Sequence, residues 1–111
     1  MMQLTSENFN QMISGDATLV VFGADWCGDC RIAKPITEEL AGRYEGVIQV
    51  AELNVDNEKE IAGRYDIKSI PTFILFKDGQ VIASQVNVRQ VEVLEDMIRD
   101  VNRLVPPAKE A

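Results

Sequence analysis

The chain of 111 residues contains no histidine, one tryptophan and only two cysteines, Cys27 and Cys30. Two cysteines are too few for a disulfide-stapled secreted scaffold. A complete zinc site would need about two more nitrogen or sulfur ligands, and the chain has no histidine or further cysteine to supply them. Long apolar runs are missing too, since nothing approaches the roughly 18 uncharged residues of a membrane helix. The opening "MMQLTSENF" lacks the basic-then-apolar layout of a signal peptide, so the expected location is the cytoplasm, with no membrane partner. Positive charge is scarce: 11 lysines and arginines face 18 acidic residues, a net charge of -7. Phosphate-backbone affinity comes from cations that displace counterions, so nucleic acid is not an expected partner. Basic or neutral protein partners suit this balance better.

What remains is the make-up of one globular domain, expected over residues 1–105 with a frayed tail from Pro106 to Ala111. Phe9, Met12 and Ile13 recur at helical spacing after Thr5-Ser6-Glu7 and predict a short helix. "TLVVFG" (Thr18 to Gly23) is a continuous β-branched apolar run, which predicts a strand covered on both faces. From Asp29 to Tyr44 the apolar residues Ile32, Ile36 and Leu40 return to helical spacing, with a kink expected at Pro35. "VIQVAELNV" (Val47 to Val55) predicts a strand and "NEKEIAGRY" after it a short helix. Strand, helix and strand in this order imply a parallel pair joined by a right-handed crossover. "PTFILF" and "VIASQV" around "KDGQ" predict an antiparallel hairpin turning at Asp78-Gly79. Val91, Leu94, Ile98, Val101 and Val105 form one face of a terminal helix.

Both cysteines lie in "ADWCGDC" (Ala24 to Cys30), where a predicted strand meets a predicted helix. A CxxC pair in a chain without a secretory signal reads as redox chemistry or as half of a metal site. The strand before, the helix after and the lack of other ligands favour redox chemistry. Cys27 would sit at the helix N-terminus, where unpaired N–H groups and the macrodipole favour a thiolate, making it the candidate nucleophile. Cys30, one turn further on, is expected to be less open to solvent and to resolve a mixed disulfide between Cys27 and a substrate.

"WCGDC", the proline five positions after Cys30, "AELNVD", "IKSIPTFILFKDG" and the acidic terminal helix together resemble the thioredoxin family. The resemblance implies an α/β thioredoxin fold, a central mixed β-sheet flanked by helices on both faces. It also implies a thiol-disulfide oxidoreductase that reduces protein disulfides, needs no bound cofactor or metal, and takes electrons from a reductase or other dithiol donor. In such proteins the proline matching Pro71 is cis and lies beside the cysteines. The backbone matching Ile70 pairs with the substrate chain, and the ring matching Trp26 shields the site and touches substrate. The alternative is a binding or redox-sensing protein whose groove around Trp26, Ile70 and Pro71 holds a partner; a metal site bridging two chains is a third possibility.

The departures from the family pattern bear on function. Gly28 and Asp29, between the cysteines, are expected to tune the pair. Asp29 stands where the family usually has proline, adding a backbone N–H that favours a thiolate and a carboxylate that opposes it. Family members usually carry a buried aspartate in the first core strand and a lysine on its neighbour; here Val21 and Glu52 stand at those places. Glu52 is therefore a candidate proton acceptor for Cys30. Gly23 replaces a second tryptophan and Asn87 a glycine of the substrate-facing loop. These changes would reshape the groove, and poor service by a standard thioredoxin reductase is expected.

Overall fold

The structure, a computed structural model, describes residues 1–104. Val105 and the tail predicted from Pro106 to Ala111 lie outside the described residues. In chain order the elements are β1 (Met2–Gln3), α1 (Phe9–Ile13), β2 (Thr18–Gly23), α2 (Gly28–Arg43), β3 (Gln49–Asn54), α3 (Lys59–Arg64), β4 (Thr72–Lys77), β5 (Gln80–Val86) and α4 (Val91–Leu104). Among the described residues, five strands form one mixed sheet in the order β1-β3-β2-β4-β5. The pairs β1–β3 and β2–β3 are parallel, whereas β2–β4 and β4–β5 are antiparallel. The α/β thioredoxin fold expected from the resemblance is the fold observed.

The two central strands explain why their sequences are apolar without alternation. On β2, Leu19 and Val21 face one helical layer, while Val20 and Phe22 face the other. On β4, Phe73 and Leu75 divide from Ile74 and Phe76 in the same way. The first layer is built by Ala33 and Leu40 of α2 with Leu94, Met97 and Ile98 of α4. The second is built by Phe9 and Ile13 of α1 with Ile61 of α3. Its centre is aromatic: Phe76 meets Tyr65 edge-on with centroids 5.2 Å apart, and Phe9 at 5.8 Å.

The hairpin turns at Asp78 (φ 52°) and Gly79 (φ 78°), and two successive positive φ values are what the two-residue turn of a twisted hairpin requires. Aspartate and glycine are the residues that tolerate them. The turn is anchored to the end of α1, with the Gly79 amide donating to the Ile13 carbonyl at 2.8 Å and the Asp78 amide to Gly15 at 3.0 Å. Between Leu75 and Phe76 the register with β5 shifts, a bulge the sequence pattern did not signal. α2 runs on through Pro35, whose ring removes one rung of the hydrogen-bond ladder without ending the helix. β1, unforeseen in the sequence, pairs Gln3 with Glu52, and the Leu4 amide extends the ladder to the Glu52 carbonyl at 2.8 Å. Among the described residues no helix is long and apolar enough to cross a membrane.

Truncating Phe76 to alanine removes a fully buried ring packed on both Phe9 and Tyr65 and should lower the free energy of unfolding by about 3–5 kcal/mol in urea. Val81→Ala, at a half-exposed position of β5, should cost less than about 0.5 kcal/mol in the same titration.

Candidate functional site

The sheet delivers the cysteines to the end of β2. A turn in which the Cys27 amide donates to the Ala24 carbonyl at 3.3 Å carries the chain from β2 into α2. Cys27 is the N-cap of α2, with extended backbone angles (φ -85°, ψ 116°), and its sulfur accepts the Cys30 amide at 3.1 Å. A helix leaves its first amides without intrahelical partners, and here a sulfur takes one of them. Both cysteines are free thiols.

From the other side the site is bordered by the loop entering β4. The Ile70–Pro71 peptide is cis, and the Ile70 carbonyl lies 3.8 Å from the Cys27 sulfur. The Pro71 carbonyl accepts the Asn87 amide at 2.8 Å, which sets the loop after β5 beside Pro71. Asn87 has φ 54°, so the glycine usual at this place answers to backbone conformation, and asparagine is among the few other residues that tolerate it. The structure thus brings Cys27, Cys30, Ile70, Pro71 and Asn87 together.

Trp26 borders the opposite side and is 67% exposed. Its indole N–H donates to the Asp56 carboxylate at 2.8 Å. Asp56 is held in turn by a loop in which the Asn54 side chain accepts the Asp56 and Asn57 amides. Gly28 is exposed, and a side chain there would meet nothing within 4 Å. Asp29 pairs with Arg89, whose Nη2 lies 2.6 Å from Asp29 Oδ1. The sequence reading named neither Asp56 nor Arg89: Asp56 is 30 positions from Trp26 and Arg89 is 60 from Asp29, with no local pattern linking them.

The expectation that Cys30 is the less open thiol requires correction. Cys27 is buried, at 6% exposure, whereas Cys30 is half-buried. The Cys27 sulfur is covered by the Ile70 carbonyl, while Cys30 borders a cavity of about 600 Å³ left open where Gly23 has no side chain. A Cβ at Gly23 would stand 3.1 Å from the Cys30 sulfur, so any larger residue there would crowd it. Glu52 borders the same cavity, half-buried, with one carboxylate oxygen contacted by the Gln3 side-chain amide. In the β2–β3 register Glu52 lies beside Val21, placing it on the sheet face that α2 covers.

Burial pushes the Cys30 thiol up from the ordinary 9.0 to about 11, helped by its hydrogen bond to Cys27 and by the charges of Cys27 and Asp29. Cys30 is therefore an uncharged thiol near neutrality. Because its folded value exceeds the unfolded one, the stabilisation from keeping it protonated is complete below pH 9 and lost as pH climbs to about 11. Under reducing conditions, wild-type protein should lose melting temperature across that window relative to Cys30→Ser. Parallel curves for the two proteins would contradict the shift.

A family model described as Thioredoxin matches residues 1–100. The thioredoxin of Alicyclobacillus acidocaldarius is 43% identical over 101 residues, covering 90% of this chain and 96% of that protein. The thioredoxin of Staphylococcus saprophyticus is 38% identical over 96 residues, covering 86% and 92%. That of Staphylococcus haemolyticus shows the same identity and coverage.

Proposed function

The chain belongs to the thioredoxin family and is a thiol-disulfide oxidoreductase, and from that premise we propose that Cys27 attacks protein disulfides and Cys30 resolves them. The observation that carries the assignment of roles is the hydrogen bond from the Cys30 amide to the Cys27 sulfur at the N-terminus of α2. Only the first sulfur of the pair caps the helix, while burial pushes the second thiol up, so the first is the proposed nucleophile. Cys27 attacks one sulfur of the substrate, the substrate S–S bond breaks, and the departing thiolate takes a proton. Cys30 then gives up its proton and attacks the Cys27 sulfur of the mixed disulfide. The second substrate thiolate leaves as the Cys27–Cys30 bond forms. Two electrons and two protons pass to the substrate, and a dithiol donor returns them. The proposed setting is the cytoplasm, where thiols are kept reduced.

The second step asks for a base, since burial pushes the Cys30 thiol up and it must lose its proton to attack. Glu52 is the proposed acceptor, acting through water in the cavity it shares with Cys30. Gln3 fixes the carboxylate, which gives the short strand β1 a place in the chemistry. Trp26, Ile70, Pro71 and Asn87 form the proposed substrate groove.

With insulin as a model disulfide, wild-type protein should sustain reduction by dithiothreitol and Cys27→Ser should abolish it, while Cys30→Ser should accumulate a mixed disulfide visible by mass. Retention of function by Cys27→Ser would favour the binding or sensing alternative. Glu52→Gln should slow internal disulfide formation by about a hundredfold, the low end of general-base help. An unchanged pH profile in Glu52→Gln would remove Glu52 from the mechanism.

A further inference from the structure

Contacts around Cys27 close into a ring. The Cys27 sulfur lies against the Ile70 carbonyl, the Pro71 carbonyl holds the Asn87 amide, and two residues later Arg89 reaches back to Asp29, itself two residues after Cys27. Arg89 thus stands at the rim of the groove, on an arc anchored at both ends. The Asp29–Arg89 bridge is partly open to water, with the side chains 45% and 54% exposed. Arg89 uses one amino nitrogen on one carboxylate oxygen, and its other N–H donors have no partner among the described residues. A guanidinium can therefore keep Asp29 and still donate to a second carboxylate.

The rim is also polarised. On the Trp26 side it carries the exposed carboxylate of Asp56, bound by the indole N–H. On the Asn87 side it carries Arg89. A peptide lying along the groove meets negative charge at one end and a guanidinium at the other, although the whole chain has a net charge of -7. Selection here is by local complementarity rather than by long-range attraction.

We propose that Arg89 is a specificity-determining residue that selects protein disulfides carrying an acidic residue beside the reactive cysteine, at the end of the groove bordered by Asn87. Asp29 keeps the guanidinium at the rim, ready to be shared with the substrate carboxylate. The claim rests on the oxidoreductase reading and adds to it the chemical class of the preferred substrate.

The test uses four short peptides, each with one cysteine held as a disulfide to the same small thiol, and with glutamate or lysine placed just before or just after that cysteine. The readout is kcat/KM for release of the small thiol at low salt, expressed as the Glu-to-Lys ratio at each position. Arg89→Gln should lower this ratio about threefold at one position and leave it unchanged at the other, within the range of exposed ion pairs. Arg89→Lys should retain most of the preference, and 0.5 M salt should erase it. An unchanged ratio at both positions would overturn the proposal. Equal falls at both would also overturn it, since that marks a diffuse charge effect without contact at one end. If wild-type protein cleaved none of the peptides, the failure would be that of the oxidoreductase reading and would be visible before any variant was compared.

Discussion

The hydrogen bond from the Cys30 amide to the Cys27 sulfur is the contact on which the chemistry turns. It exists because β2 ends in a turn and α2 begins at once, so a helix end short of acceptors meets a side chain able to serve as one. The same bond separates two chemically identical groups. One sulfur accepts a helix amide and the other is held as an uncharged thiol by burial and by its neighbour. An asymmetry in backbone geometry thus underlies the proposed asymmetry of roles.

Holding that junction in place is the work of the sheet. β2 lies between β3 and β4 and is packed on both faces, so its end has little freedom. β4 brings Ile70 and Pro71 to the cysteines from the opposite direction. The remaining border of the groove comes from loops tied by single contacts: Trp26 to Asp56, Asn87 to Pro71, and Arg89 to Asp29. A rigid floor with a rim of individually weak ties can accept different extended chains without moving the nucleophile.

Features that follow from burial or backbone conformation were readable from the amino-acid sequence. The doubly covered β2 announced itself as an unbroken apolar run, and the Asp78-Gly79 turn as the dipeptide that tolerates two positive φ values. The cysteine pair and Pro71 were legible through their family pattern. β1 was not, since two residues carry no periodicity and its pairing with β3 is set by where the chain start comes to lie. Arg89 and Asp56 were hidden for a related reason. Polar contacts at a rim leave no hydrophobic signature, and their partners are brought near only by the completed fold. The greater openness of Cys30 depends on what Gly23 omits, and an omission is hard to read without knowing which atoms surround it.

The strand order carries a consequence for how the protein is made. Cys27 is covered by a carbonyl that lies 43 positions later in the chain. β4, the strand that follows that carbonyl, occupies the interior of the sheet next to β2. During synthesis the dithiol therefore emerges well before its cover does. Until the last third of the chain has docked, a newborn molecule presents its thiols without the proposed substrate groove. Whatever discrimination the proposed groove provides is acquired late in the birth of each molecule, and an arrested or truncated chain would carry the thiols without it.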